Sequence, residues 1–253
     1  MNDAVPEAAH NLPTPNGEPP RVETQPQQKS AAREYGEAFG IALILALIIR
    51  TFFIQAYKIP SGSMETTLLI GDHILVNKLA YGLRVPDSLF GLTFPGIPWG
   101  QYLFPLESVH RGDVVVFVFP PDPTKDFIKR VIGIPGDKVQ VINGEVYLNG
   151  AKMDDPHAHF DVSPVERSPV NLRDNFPERD PNDPNRDPGP VTVPEGKYLM
   201  MGDNRDHSYD GRYWGFVDRN EVEGRAVIIY WSWDSDGGGI LPIRWTRFGR
   251  IVH

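Results

Sequence analysis

The sequence predicts a mainly β fold, in which an N-terminal transmembrane helix is followed by an antiparallel β-sheet domain with a small β and loop insertion. The 253 residues include 25 prolines and 24 glycines, a composition that favours short strands and turns over long helices. One long apolar stretch lies near the N-terminus. The later apolar runs are short and rich in β-branched and aromatic residues, as strands are.

The composition also excludes several classes of function. The net charge is −8, which argues against nucleic acid as a partner because phosphate binding needs a basic surface. The chain contains no cysteine, so disulfides and cysteine-based metal sites are excluded. The absence of cysteine suits an oxidising exterior. We expect no cofactor.

The first segment, residues 1–34, is expected to be disordered. It contains six prolines, few large apolar residues and charges of both signs. It is too polar and too long to be a cleavable signal peptide.

The second segment, residues 35–56, is predicted to be a transmembrane anchor. Its apolar part reads AFGIALILALIIRTFFIQA, and nineteen helical residues span roughly 28 Å, close to the hydrocarbon thickness of a bilayer. Arg50 lies near the C-terminal end, so its guanidinium can reach the interface. A buried core helix is the alternative, because the unbroken apolar run is only twelve residues, but the apolar residues surround the whole helix.

The charges around the anchor indicate its orientation. Arg21, Lys29 and Arg33 precede it, and only Lys58 follows it closely. This asymmetry favours a cytoplasmic N-terminus. We therefore expect a single-pass protein of the inner (cytoplasmic) membrane, with its large C-terminal domain on the outer, periplasmic side.

The remaining chain is predicted to form a β domain from residues 57–140 and 195–253, with a hairpin and polar insertion at 141–194. Asn143-Gly144 between two alternating runs predicts a two-residue hairpin turn. The predicted strands are 114–119, 127–134, 139–142, 145–148, 197–201 and 226–233.

Two stretches of this domain are predicted to be loops of opposite character. Residues 151–190 are rich in proline, aspartate and arginine, which predicts an extended surface insertion. Residues 90–105 are apolar and aromatic. This second loop either packs on the core or dips into the outer leaflet beside the anchor, as interfacial Trp and Phe can.

A candidate nucleophile follows the anchor in the motif IPSGSM, residues 59–64. A serine flanked by glycine, in a turn fixed by proline, can expose its hydroxyl while backbone N–H groups converge on one point. A nucleophile with an oxyanion site needs this arrangement. Ser-Gly-Ser is also common in loops and helix caps, so the motif alone is a weak signal.

Lys129 is the candidate general base. On a strand, Phe127, Lys129 and Val131 share one face, so an inward-facing Lys129 would be desolvated. Its pKa would have to fall by roughly 3 from about 10.4, a cost of about 4 kcal/mol that burial can supply, with help from cations such as Arg130. The alternative is a lysine that lies along the sheet with its ammonium in water.

A third motif, MGDNRDHSYDGRYWG at 201–215, combines charged, amide and hydroxyl groups with glycines. Such density suits a hydrogen-bonded network that positions other groups. A polar turn with salt bridges is the alternative.

Together these motifs resemble those of the bacterial type I signal peptidases, or leader peptidases, a family of Ser-Lys dyad proteases. The resemblance covers nearly all of the chain from residue 38 to the end. It implies a membrane-anchored serine endopeptidase that removes N-terminal signal peptides from exported preproteins, cutting after small residues of the Ala-x-Ala type. Signal peptides and the lipid bilayer would be its partners, and we expect a monomer. The segments that carry it are the anchor, IPSGSM (59–64), GDHILVNKLAYG (71–82), RGDVVVF (111–117), FIKRVIGIPGDKV (127–139) and MGDNRDHSYDGRYWG (201–215).

The resemblance assigns roles to six residues. Ser63 would be the nucleophile and Lys129 its general base. The others would support them: Ser61 by holding the oxyanion with the Ser63 N–H, Ser208 by positioning the lysine amine, and Asp210 and Arg212 by forming an ion pair.

The chain departs from the family pattern at three positions. The family usually has Pro at the position of Thr66, Asn at that of His207 and Ser at that of Gly211. None of these departures removes a group assigned to bond making. His207 invites a Ser-His interpretation, but the resemblance gives this position no base role. The His-Ala-His at 157–159 has no third ligand in the sequence, so no metal site is predicted.

Two other functions compete with the protease. A self-cleaving Ser-Lys protein like the SOS-response repressors would lack an anchor and carry a DNA-binding domain. A catalytically silent, membrane-tethered protein that grips apolar peptides is a different class, but the presence of Ser61, Ser63 and Lys129 argues against it.

Overall fold

The computed structural model describes residues 31–88, 92–161, 174–178, 180, 182–183, 186–234 and 242–253. The chain divides between Leu43 and Ile44 into two units. Residues 1–30 of the segment predicted to be disordered lie outside the described residues, as do the start of loop 90–105 and several parts of insertion 151–190.

Helix α1 (Ala31–Phe52) occupies most of the predicted anchor. Within residues 32–52, an 18-residue stretch has a mean hydropathy of 1.6, and none of that stretch is buried inside the protein. The helix is therefore long and apolar enough to cross a membrane. It begins four residues earlier than the predicted anchor and ends four residues before its predicted end, because residues 54–56 enter the first strand. Arg50 consequently lies in the last turn, where a cation complements the helix dipole.

Fourteen strands and one further short helix follow in the described part of the chain. The strands are β1 (Ile54–Lys58), β2 (Asp72–Asn77), β3 (Gly82–Arg84), β4 (Tyr102–Pro105), β5 (Val114–Val118), β6 (Asp126–Gly133), β7 (Lys138–Ile142), β8 (Glu145–Leu148), β9 (Ala151–Lys152), β10 (Val191–Thr192), β11 (Lys197–Met201), β12 (Phe216–Asp218), β13 (Val222–Ser232) and β14 (Arg250–Ile251), and the helix is α2 (Gly211–Trp214).

The strands form one large antiparallel sheet and two small ones. The large sheet has the order β1-β2-β13-β5-β6-β11-β12, and β14 pairs with β13. The second sheet has the order β10-β7-β8-β9, and β3 pairs with β4. All of these pairings are antiparallel, which confirms the predicted fold class.

All six predicted strands are present, but the sequence did not predict all the others. Strand β1 was not predicted, because its first residues were assigned to the anchor. Strand β13 begins four residues earlier than predicted, because Glu223, Gly224 and Arg225 interrupt the apolar pattern. The described part of loop 90–105 is largely not packed on the core. Leu92 and Phe104 are 61% and 64% exposed, although Tyr102 packs against buried residues.

The core consists of three apolar clusters, one of which anchors the candidate nucleophile. Ile59 and Met64 are 2% and 1% exposed and pack with Leu68, Ile74 and Val116. Each fully buried side chain of this size contributes about 1.5–3 kcal/mol. Because Ile59 and Met64 lie on either side of Ser63 in the chain, their burial fixes the turn that carries it.

Candidate active site

Ser63 lies in a single 3₁₀ turn, Gly62–Met64, between β1 and β2. The Glu65 N–H donates to the Gly62 carbonyl at 3.1 Å and closes the turn. Ser63 itself is 8% exposed. Ser61 precedes the turn with an extended backbone, is exposed, and makes no side-chain capping bond. The turn therefore does not use the Ser61 hydroxyl.

Lys129 is brought to Ser63 by the large sheet. It lies on β6, opposite Val115 of the neighbouring strand β5, and is 4% exposed. Its Nζ is 2.5 Å from Ser63 Oγ and 5.6 Å from the centre of the Phe127 ring. The structure therefore supports an inward-facing, buried Lys129 and not a lysine with its ammonium in water.

The pKa of Lys129 is lowered to about 8, chiefly by burial, which disfavours the charged amine. The carboxylates of Asp210 and Asp203 act in the opposite direction, and the Arg212 cation adds to the lowering. Each of these carboxylates is paired with an arginine, so its attraction for a proton on Lys129 is partly cancelled. Burial outweighs the carboxylates, and a substantial fraction of the amine is neutral near pH 8.

The first of these ion pairs joins Asp203 to Arg130, whose side chains are 0% and 2% exposed. Arg130 Nε and Nη2 donate to the two carboxylate oxygens at 2.8 and 2.7 Å. Thr67 donates to the same carboxylate at 2.5 Å. From the sequence, Arg130 was expected to help lower the pKa of Lys129, and its pair with Asp203 was not predicted. The guanidinium is instead committed to Asp203.

The second ion pair joins Asp210 to Arg212, and both side chains are fully buried. Arg212 Nε and Nη2 donate to Asp210 at 2.9 Å each, and the Gly202 N–H donates to Oδ2 at 3.0 Å. Burial alone would raise the pKa of Asp210, but the Arg212 charge and these hydrogen bonds hold it below its usual value. The ion pair implied by the resemblance is therefore present.

The loop after β11 approaches the nucleophile so closely that only glycine fits at residue 202. A Cβ there would lie 2.2 Å from Ser208 Oγ and 2.4 Å from the Ser63 carbonyl oxygen. The Asn204 N–H donates to that carbonyl at 3.1 Å. Ser208 is 5% exposed, and its hydroxyl lies beside the Asp210 carboxylate, whose pKa it helps to lower.

The structure thus brings together five of the six predicted site residues. Ser63 lies beside Lys129, Asp210 pairs with Arg212, and Ser208 lies across the Gly202 position from the Ser63 backbone. The position of His207 does not favour the Ser-His alternative, because its ring is paired with Asp161 and its side chain is 63% exposed. The functions of all six residues remain predictions.

Comparisons with known proteins show the family of the chain. The family described as "Signal peptidase, peptidase S26" matches residues 32–231. A signal peptidase I of Pseudomonas aeruginosa is 33% identical over 87% of this chain and 79% of its own. A probable signal peptidase I-2 of Synechocystis is 38% identical over 78% of this chain and 72% of its own. A signal peptidase I of Leptolyngbya laminosa is 33% identical over 87% and 90% of the two chains. The chain therefore belongs to the signal peptidase family, peptidase S26.

Proposed function

We propose that this chain removes N-terminal signal peptides from exported preproteins, with Ser63 as nucleophile and Lys129 as general base. The observation that carries the proposal is the 2.5 Å separation of Lys129 Nζ and Ser63 Oγ, at a site where burial lowers the pKa of the amine to about 8. A neutral amine at this distance can accept the serine proton without rearrangement.

The reaction follows from these two groups. Neutral Lys129 takes the proton of Ser63 Oγ as that oxygen bonds to the scissile carbonyl carbon. The tetrahedral oxyanion accepts hydrogen bonds from the Ser63 N–H and the Ser61 hydroxyl, which the turn leaves free. The C–N bond then breaks as protonated Lys129 gives its proton to the leaving amine. Water, deprotonated by Lys129, hydrolyses the acyl-enzyme.

The remaining site residues support the lysine amine. Ser208, which is 5% exposed, would orient the Lys129 amine once the Ser63 hydroxyl has been acylated. The Asp210–Arg212 pair would hold the loop that carries Ser208, since Asp210 accepts from the Gly202 N–H at 3.0 Å.

The shape of the cleft supports a preference for small residues before the cut. A cavity of about 90 Å³ lies between β1 and β6. Its lining includes Pro60, which precedes Ser61 in the sequence, and Ile128, which precedes Lys129. Strand β1 ends the order of the large sheet, so its free edge can pair with an extended peptide. A shallow cavity excludes large side chains. Its lining residues are Tyr57, Lys58, Ile59, Pro60, Ile74, Val116, Asp126, Phe127 and Ile128.

The apolar helix α1 is consistent with a membrane anchor. We propose that the N-terminus is cytoplasmic and the catalytic domain periplasmic, as the preceding Arg21, Lys29 and Arg33 favour. A preprotein held in the same bilayer by its own apolar segment would meet the site at raised effective concentration. We further propose that the catalytic domain of a single chain suffices, because Ser63 and Lys129 meet within one chain.

Incubation of the purified full-length chain, in detergent, with a preprotein tests this function. We expect one cut, which N-terminal sequencing of the product places after an Ala-x-Ala motif. A matched preprotein with Phe in place of the Ala before the cut should be cleaved at least about tenfold more slowly, because a cavity of about 90 Å³ accommodates a methyl group better than a ring. No cleavage of the first preprotein, or equal cleavage of both, would contradict the proposal.

A further inference from the structure

A segment of the polar insertion lies along the loop that follows β11. We call residues 155–161 the strap and residues 202–208 the catalytic loop. The His159 N–H donates to the Asp203 carbonyl at 2.7 Å, and the Arg205 N–H donates to the His159 carbonyl at 2.9 Å. His159 and Asn204 thereby form a parallel bridge. The strap covers one edge of the catalytic loop.

The opposite edge of the catalytic loop holds the nucleophile turn. The Asn204 N–H donates to the Ser63 carbonyl at 3.1 Å, and its side-chain Nδ2 donates to the Gly62 carbonyl at 3.3 Å. Since a Cβ at Gly202 would lie 2.4 Å from the Ser63 carbonyl oxygen, the two segments are in close contact. A displacement of the catalytic loop is therefore transmitted to Ser63.

The strap is fixed to the catalytic loop by a buried ion pair. Asp155 and Arg205 have side chains that are 8% and 1% exposed, and Arg205 Nη2 donates to Asp155 Oδ2. Arg205 Nε also donates to the Gly202 carbonyl at 3.0 Å, and its own carbonyl accepts from Arg212 Nη2 at 2.7 Å. Removing one partner of such a pair leaves a buried charge unpaired. Arg205 would then keep its bond to the Gly202 carbonyl but lose the carboxylate that pairs with its charge.

A second, exposed set of contacts lies at the end of the strap. The Asp161 carboxylate contacts the Nε2 atoms of His159 and His207 at 2.8 and 3.1 Å. The Asp161 N–H donates to Asp206 Oδ2 at 2.7 Å. Exposed pairs contribute little to stability, so we assign these contacts a secondary part in docking the strap.

We propose that Asp155 is a positioning residue for the peptidase reaction: through Arg205 it holds the catalytic loop, and through that loop the Ser63 turn, in the reactive geometry. This inference rests on the proposed function. The Asp155 carboxylate bonds to Arg205 and to the His157 N–H, and in the described part of the chain it forms no bond with Ser63 or Lys129. Its effect is therefore on geometry. Small errors in the position of a nucleophile reduce the rate of bond formation far more than they reduce substrate binding.

The test compares Asp155→Asn with Asp154→Asn in the full-length chain, using the preprotein assay. Both substitutions remove one negative charge, but Asp154 is exposed and forms no hydrogen bond or ion pair with another described residue. We expect Asp155→Asn to lower kcat by about tenfold or more while KM changes by less than roughly twofold. Asp154→Asn should match the wild type, and Asp155→Glu, which keeps the carboxylate, should recover part of the lost kcat.

The outcomes separate positioning from mere stability and from failure of the proposed function. If circular dichroism shows Asp155→Asn to be folded at the assay temperature and kcat equals that of Asp154→Asn, the inference is overturned while wild-type cleavage still stands. A wild type that does not cleave rejects the proposed function itself. Should Asp155→Asn not fold, Asp155→Glu takes its place: it keeps the carboxylate but displaces it by one methylene, so kcat should fall while KM changes little, and a kcat equal to that of Asp154→Asn would overturn the inference.

Discussion

Replacing Lys129 by arginine is expected to lower kcat/KM for preprotein cleavage by roughly 10³-fold. Burial lowers the pKa of Lys129 to about 8, whereas a guanidinium stays protonated at any accessible pH. An arginine would thus place a permanent cation beside Ser63 and could not take the hydroxyl proton. Steady-state cleavage of a preprotein by the purified variant measures the loss.

Two further variants show whether the loss is chemical. Lys125→Arg makes the same exchange on an exposed side chain paired with Asp122, and it should retain wild-type activity. Lys129→Met removes the amine without burying a charge, so it should be as inactive as Lys129→Arg while unfolding at the same or a higher urea concentration. An active Lys129→Arg enzyme would rule out Lys129 as the base.

Replacing Ser63 by alanine is expected to lower kcat by roughly 10⁴-fold or more. The substitution removes the one oxygen within hydrogen-bond distance of the buried amine in the described part of the chain, the 2.5 Å partner of Lys129 Nζ. The change deletes a single atom from a turn that Ile59 and Met64 hold by their burial. We therefore expect the fold and the KM for the preprotein to change little. Single-turnover cleavage gives the residual rate.

Ser108→Ala is the matched control for this variant, because Ser108 is exposed and lies outside the site. It should cleave at the wild-type rate. Cleavage by Ser63→Ala at more than about a tenth of the wild-type rate would show that another group attacks the peptide.

The large features of the fold could be predicted from local sequence patterns. An unbroken apolar run specified α1, and β-branched runs with turn residues between them specified the six strands that were predicted. The ends of the helices and strands were harder to predict from the sequence. The apolar character of Ile54 continues that of the helix, so nothing in the local pattern indicates that the chain becomes extended after Phe52.

The candidate site was predicted in part. The resemblance assigned roles to Ser63 and Lys129, and the periodicity of β6 placed Lys129 on an apolar face. The pairing of Arg130 with Asp203 was missed because it joins residues 73 positions apart, and no local pattern specifies such a partner. The same limit applies to Asp155 and Arg205, 50 positions apart. For the Arg130–Asp203 pair, the available signal was the opposite charge of two residues in separate motifs, at 127–139 and 201–215.

Burial of Lys129 also has a consequence for stability. A pKa of about 8 in the folded state, against about 10.4 in an unfolded chain, corresponds to about 3 kcal/mol. Between these two values the unfolded state binds more protons, so this residue makes stability rise with pH from about 8 to about 10.4. Below about pH 8 the full cost of burying the protonated amine opposes folding, and the packing of the core has to offset it.

The dependence of kcat/KM on pH between 6 and 10 tests the central claim most directly, because it reports the ionisation of the group that must be neutral in the free enzyme. We predict a rate that rises with pH and reaches half of its maximum near pH 8, the pKa to which burial lowers the Lys129 amine. Burial also raises the pKa of Asp126 to about 6 at the nearby cavity, so only an inflection well above that value reports the lysine. A rate that is constant from pH 7 to 10, or that reaches half of its maximum only near 10.4, would contradict the account.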